Sequence, residues 1–191
     1  MSQAKKHIIT IAGKPASGKS TSAKMVAKEL GYEHYSTGDL FREIAAGQNQ
    51  DVLQANLHAE RDTSIDVQVD ERQRNLGVTE DNFVIDARLG WHFIPTSFKV
   101  YLDLDTIHGA HRILASPRSD RESKENIPEH PAAYAEVLNE RLASETRRYK
   151  TLYSADGHDH VNFDLVIDTK SHTPAQVTAL IIDAYNHWIA S

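Results

Sequence analysis

Gly13-Lys14-Pro15-Ala16-Ser17-Gly18-Lys19-Ser20 decides the fold. Its spacing is G-x-x-x-x-G-K-S, that of a phosphate-binding loop. The residues before it, His7-Ile8-Ile9-Thr10-Ile11-Ala12, are β-branched and apolar, as in a buried strand. Those after it place Ala23, Val26, Ala27 and Leu30 at i, i+3, i+4 and i+7, one face of a helix. Strand, glycine loop and helix in that order is the setting the motif requires. Gly13 and Gly18 let the backbone turn tightly and bring its N–H groups against phosphate oxygens. The helix opening near Lys19 points its positive dipole end at the same anion. Lys19 can reach the β- and γ-phosphates, and the Ser20 hydroxyl can ligate Mg²⁺. The expected ATP-binding set is Gly13, Ala16, Ser17, Gly18, Lys19, Ser20 and Thr21. Lys14 is expected to be a solvated surface charge.

Composition narrows the class. The 191 residues suit one α/β domain with small insertions. The formal net charge of −6 gives no global field for nucleic acid or acidic membranes, so the arginines are better read as local sites. No cysteine is present, which excludes disulfides and thiolate metal sites and fits a reducing cytosol. The N-terminus shows no signal-peptide core, and the chain has no run of about 18 apolar residues. A cytoplasmic monomer is expected. The eleven histidines show no H-E-x-x-H spacing, and most are expected on the surface.

The rest of the chain alternates strands and helices, with two interruptions. Tyr32 to Ser36 is a short second strand, and Thr37 to Arg42 opens a helix. Residues 43 to 80 are polar and helical, with a turn at Gln48-Asn49-Gln50-Asp51; Ile65, Val69, Arg72 and Leu76 form a stripe that Gly77 stops. Arg61, Arg72 and Arg74 are expected to face solvent. Phe83 to Arg88 is the next strand and its exit. A carboxylate at the C-terminal end of such a strand lies where ligands bind in open α/β sheets. Asp86 can hold a water on Mg²⁺, and Arg88 can clamp phosphate bidentately. The competing reading is a buried Asp–Arg ion pair.

Ser97 to Leu104 is a fourth strand, followed by a helix carrying Ile107, His111, Arg112 and Leu114. Residues 116 to 131 lack periodicity and hold the most polar segment; they are expected to form a lid whose Arg118 and Arg121 close over the γ-phosphate. The competing reading is a charged surface loop. Residues 132 to 152 form a long helix. On it Arg141, Glu145 and Arg148 share one side, bordering Tyr134, Leu138 and Leu142. That pattern alone is equally a ladder of salt bridges. Phe163 to Thr169 is the fifth strand. The last helix opens at Thr173-Pro174-Ala175-Gln176, a capping box with Pro at the first helical position. Its expected core face is Val177, Leu180, Ile181, Ala184 and Trp188.

Several of these stretches resemble the nucleoside monophosphate kinases. Thr37-Gly38-Asp39-Leu40-Phe41-Arg42 is similar to their acceptor-binding segment, and Asp86-Ala87-Arg88 to their D/E-G-R, with alanine replacing glycine. Glu140 to Tyr153 and Asp164-Leu165-Val166-Ile167-Asp168-Thr169 resemble the cytidylate kinases, in particular short archaeal-type members. The resemblance implies that Arg42 holds the acceptor phosphate, with Thr37 and Asp39 in the same site. It implies that Arg141, Glu145 and Arg148 face the acceptor's phosphate, ribose and base, and that Arg147 is a bystander.

The implied fold is a P-loop three-layer α/β sandwich. It has a five-stranded parallel sheet of order 2-3-1-4-5, an acceptor-binding insertion over 38–80 and a lid over 116–131, all in one domain over 1–191. The implied reaction moves a phosphoryl group from ATP, with Mg²⁺, to CMP or dCMP. Lys19, Arg88, Arg118 and Arg121 would be the catalytic cations. The expected partners are these small nucleotides, with neither nucleic acid nor membrane. The alternatives are a kinase acting on AMP, UMP or a shikimate-like metabolite, and a partner-driven nucleotide switch or ATPase.

Overall fold

A computed structural model describes residues 5–47, 64–116 and 128–191. The chain runs β1 (Ile8–Gly13), α1 (Lys19–Leu30), β2 (Glu33–Ser36), α2 (Thr37–Gly47), α3 (Ser64–Thr79), β3 (Phe83–Asp86), α4 (Gly90–Phe93), β4 (Phe98–Asp103), α5 (Thr106–Ala115), α6 (Pro131–Tyr153), a 3₁₀ turn (His160–Asn162), β5 (Leu165–Asp168) and α7 (Pro174–Ala190). The strands form one sheet in the order β2-β3-β1-β4-β5, as the sequence predicts, and each neighbouring pair is parallel. Parallel pairing requires crossovers, and the helices supply them on both faces.

The strand period of two divides the core. Ile8, Phe83 and Ile85 point to one face and pack with Ile65, Val69 and Leu76 of α3, Phe93 of α4, and Tyr149 and Tyr153 of α6. Ile9, Ile11, Val84, Val100, Leu102 and Ile167 point to the other face, against Ala23, Val26 and Ala27 of α1 and Val177, Ile181 and Tyr185 of α7. Each large apolar side chain buried this way contributes about 1.5–3 kcal/mol. A smaller cluster of Ala110, Tyr134, Ala135 and Leu138 joins α5 to α6.

Three local expectations change. Gly77 does not stop α3, which continues to Thr79. A Cβ at Gly77 would lie 2.9 Å from Ile94 Cγ2, so the glycine serves a close approach of α3 to the segment after α4. Arg72 leaves the stripe and faces solvent, as expected of it, and Gln73, four residues after Val69 and three before Leu76, takes the buried place between them. On α7, Leu180 is exposed, and Thr178 and Tyr185 are buried instead. The α7 capping box forms as read, with Thr173 and Gln176 bonding each other's backbone N–H.

The sheet carries the chemistry at one end. β1 runs into the loop at Gly13, β2 and β3 end beside it at Ser36 and Asp86, and β4 ends at Asp103. Gly13 has φ +149°, and a Cβ there would lie 2.2 Å from the Leu102 carbonyl oxygen. Only glycine lets β1 pass β4 this closely as it turns into the loop. Of the 38–80 stretch, residues 48–63 lie outside the described residues, as do 117–127 of the 116–131 stretch, Arg61, Arg118 and Arg121 included.

Candidate active site

The loop after β1 is held by its own backbone. Lys14 N–H donates to Leu102 O at 3.2 Å and Ser17 N–H to Lys14 O at 3.3 Å. Gly18, in the left-handed region, is the N-cap of α1 and gives no side-chain cap to its first-turn N–H groups. Ser17 Oγ is buried without a partner among the described residues. These are donors directed at an anion, with the helix dipole behind them. Lys19 curls over the loop and donates to Gly13 O at 2.9 Å and Lys14 O at 2.8 Å. Burial, reinforced by the Arg88 guanidinium, lowers its ammonium pKa to about 8, against the pull of Glu145 and Asp86. Lys14 is not a free surface charge: its Nζ lies 2.7 Å from Asp103 Oδ1.

Asp86, at the end of β3, gathers four side chains. Oδ1 accepts from Ser20 Oγ at 3.1 Å and from Ser36 Oγ at 3.3 Å. Oδ2 lies 2.9 Å from His34 Nε2, which must be the donor to a carboxylate. Thr37 Oγ1 donates to the Asp86 carbonyl at 3.2 Å. The Asp86 carboxylate is thus beside the first turn of α1 without an ion pair to Arg88, and the Asp–Arg pair that the sequence left open does not form. His34 is the residue that the sequence missed here. Its signal was available, because it lies two residues before Ser36 on the same face of β2.

Arg88 turns instead toward α6. Its NH2 lies 3.0 Å from Glu145 Oε1, and Arg141 Nε lies 3.6 Å from the same oxygen. Glu145 is buried, whereas Arg88 and Arg141 keep 41% and 39% of their side chains exposed, so both cations retain an open side. Arg148 NH1 lies 4.0 Å from Asp66 Oδ2 on α3. Burial opposes charge on Arg88 and on Arg148. Glu145 and Tyr149 outweigh it at Arg88, and Tyr149 and Asp66 at Arg148, so both guanidinium pKa values stay above the ordinary value. The structure therefore brings together Lys19, Arg88, Arg141, Glu145 and Arg148 as the sequence grouped them, and adds Asp66 and Tyr149. Arg147 is exposed on the other side of α6. Arg42 falls in α2, and its side chain is outside the described residues.

Arg112 is a further residue whose setting the sequence did not show. It donates to the loop carbonyl of Ala16 at 3.3 Å and to Thr169 O at 2.5 Å. It braces the phosphate loop against the turn that follows β5.

The donor set fits a Mg²⁺-bound triphosphate. Uncapped N–H groups, the unpartnered Ser17 hydroxyl and Lys19 match phosphate oxygens, and Ser20 beside Asp86 matches a hard cation with its waters.

Residues 12–127 match the family model described as an AAA domain. The chain is 36% identical to the cytidylate kinase of Natronomonas pharaonis over 181 residues, 94% of this chain and 89% of that one. It is 36% identical to the cytidylate kinase of Halobacterium salinarum over 185 residues, 96% of this chain and 91% of that one. Among solved structures, a shikimate kinase from Bacteroides thetaiotaomicron superposes with a TM-score of 0.60 at 13% identity, covering 95% of each chain, which is a likeness of fold.

Proposed function

The chain belongs to the AAA-domain family and to the cytidylate kinases, and so is a nucleoside monophosphate kinase; on that premise we propose that it transfers the γ-phosphoryl group of ATP to CMP or dCMP, giving ADP and CDP or dCDP. The observation that carries this reading is the convergence of Arg88 and Arg141 on Glu145 within the electrostatic reach of Lys19. A monoanionic carboxylate shared by two guanidiniums leaves cationic capacity for a phosphate, next to the loop that takes the triphosphate.

In this reading Gly13, Ala16, Ser17, Gly18, Lys19, Ser20 and Thr21 hold the phosphates of ATP. Ser20 would ligate Mg²⁺, and Asp86 would hold one of its waters. The metal would supply charge neutralisation between the phosphates. Thr37, Asp39 and Arg42 take the acceptor from the α2 side, and Arg88, Arg141, Glu145 and Arg148 from the α6 side. The acceptor's phosphate oxygen is already a competent nucleophile, so no general base is needed, and catalysis lies in alignment and charge. Lys19 and Arg88 stabilise the transferring group, joined by Arg118 and Arg121 as residues 116–131 close as a lid. Closure excludes water, which would otherwise hydrolyse ATP. Residues 38–80 act as the acceptor-binding insertion of the single domain. The chain works on small nucleotides as a cytoplasmic monomer, away from nucleic acid and membrane. Among the described residues no helix is long and apolar enough to cross a membrane.

The test is a coupled ADP-release assay with Mg·ATP and a panel of CMP, dCMP, UMP, AMP and GMP, plus a control without acceptor. Turnover selective for CMP or dCMP is expected. Preference for AMP, or ADP release that ignores the acceptor, would reject the pyrimidine reading while leaving the fold in place.

A further inference from the structure

The acceptor site proposed above has a second wall. α3 lies across from the Arg88–Glu145–Arg141 group, with Ile65 and Val69 packed in the core that includes Tyr149 and Tyr153 of α6. Asp66 sits between those two core positions in sequence and keeps 27% of its side chain exposed, with Arg148 at 4.0 Å. Four residues on, Asp70 accepts from Tyr153 Oη and from Gln73 Nε2.

Electrostatic neighbours order the site along its length. Lys19 is acted on by Arg88, Glu145, Asp86 and Arg141. Asp66 is acted on by Arg148 and then Arg88, and Asp70 by Asp66, Arg74 and Arg148. Arg88 is common to the two ends. The sequence of groups is therefore Lys19, then Arg88 with Glu145 and Arg141, then Arg148 with Asp66. The ion pairs Arg88–Glu145–Arg141 and Arg148–Asp66 continue away from Lys19 in that order, which leaves the Asp66 end for the base of a nucleotide whose phosphate faces Lys19.

A carboxylate accepts hydrogen bonds and donates none. Phosphate cannot satisfy it, so the group it meets must carry N–H or O–H. Burial raises the Asp66 carboxyl pKa in spite of Arg148 and Arg88, so its two cationic neighbours do not fully compensate it. Each has another partner: Arg88 is in a tight pair with Glu145, and Arg148 lies over the Tyr149 ring at 5.4 Å. At the base end, cytosine presents an exocyclic amino group where uracil presents a carbonyl. A carboxylate there bonds the first and repels the second.

We propose that Asp66 reads the acceptor base by accepting a hydrogen bond from its exocyclic amino group, and so selects cytosine over uracil. This rests on the kinase reading of the site. Asp66 makes no contact with the transferring phosphoryl group and is a specificity residue.

The experiment compares the parent protein with Asp66→Asn and Asp66→Ala, using CMP, dCMP and UMP in the same assay. Binding of an ATP analogue checks that each variant keeps its donor site. The parent is expected to favour CMP over UMP. In Asp66→Asn the amide can turn its N–H toward a uracil carbonyl, so the CMP/UMP ratio of kcat/KM should fall about tenfold or more. The change should lie mainly in KM, with the CMP/dCMP ratio held within about twofold. Asp66→Ala should lose CMP turnover without gaining UMP turnover. An unchanged CMP/UMP ratio in Asp66→Asn overturns the proposal. So does a shifted CMP/dCMP ratio, which would place a sugar hydroxyl at Asp66. An equal fall for every acceptor, which would make Asp66 structural, overturns it as well. A parent that phosphorylates no pyrimidine nucleotide removes the pyrimidine reading of the site, and this inference with it.

Discussion

Lys19 makes nucleotide binding a proton-linked event. Its pKa stands at about 8 in the free chain, against 10.5 for an unperturbed lysine, because burial and Arg88 both disfavour the ammonium. At pH 8.5 only about a quarter of the chains carry the charge, and at pH 7 about nine in ten do. A triphosphate beside Nζ favours the charged form and returns the pKa toward its ordinary value. Binding at pH 8.5 should therefore take up about three quarters of a proton at this group, and about a tenth at pH 7. Titration calorimetry of a non-hydrolysable Mg·ATP analogue, in buffers of differing ionisation enthalpy, reads this directly. The second cause of the shift gives the control. Arg88→Met removes a repelling cation without touching the phosphate loop, so Lys19 should be more protonated beforehand and the uptake at pH 8.5 should shrink. Heats independent of buffer at pH 8.5, or an uptake unaltered by Arg88→Met, would refute the reasoning. The same shift bears on folding, with its sign worked through linkage. The unfolded chain binds more protons than the folded one between about pH 8 and 10.5, so this group costs stability below pH 8 and the cost fades as pH rises through that window. Its upper bound is about 3 kcal/mol, reduced by solvent at the half-buried ammonium.

Gly13→Ala should be among the most damaging single changes, since its Cβ would meet the Leu102 carbonyl at 2.2 Å with φ at +149°. A loss of about 4 kcal/mol or more in chemical denaturation is expected, and a loss under about 1 kcal/mol would contradict it. Asp70→Asn should stabilise the chain near pH 7.5 by about 1 kcal/mol and by nothing near pH 4, because burial raises that carboxyl to about 6 and the folded state releases its proton late. Thermal unfolding at the two pH values checks it, and an equal effect at both would place the cause elsewhere.

The sheet was legible because its strands are short apolar runs set between helices, and parallel pairing buries both faces of such runs. The phosphate loop was legible because its chemistry is local: eight consecutive residues and the two elements beside them. The α6 side of the site was only half legible. Arg141, Glu145 and Arg148 share a helix side by spacing, which reads equally as a ladder of salt bridges, and it is the resemblance to cytidylate kinases that marked them for the acceptor. Asp66 does not stand out, since it acts across the fold with Arg148, 82 positions away in sequence, whereas His34 had a local signal on the face of β2 that carries Ser36, although its partner Asp86 is 52 positions away. Gly77 was misread for the same reason. A glycine near the end of a helical stripe resembles a stop, and only the position of Ile94 shows that it is a contact.

Net charge and local charge point in opposite directions here, and the difference is functional. A formal charge of −6 says that the surface as a whole repels polyanions. Yet Lys19, Arg88, Arg141, Arg148 and Arg112 converge on one end of the sheet. Glu145 pairs with Arg88 and Arg141 and Asp66 with Arg148, and the Ala16 and Thr169 carbonyls hold Arg112. Lys19, by contrast, donates to the carbonyls of Gly13 and Lys14, and the field of Arg88 opposes that of Glu145 and Asp86 at its ammonium. In the proposed function an arriving polyanion would relieve the repulsion between Lys19 and Arg88, and part of its binding energy would be that relief. A basic surface patch would attract any phosphate polymer. A few cations held by Glu145 and Asp66 at the end of a sheet instead offer a local site of the size the proposed small nucleotides need.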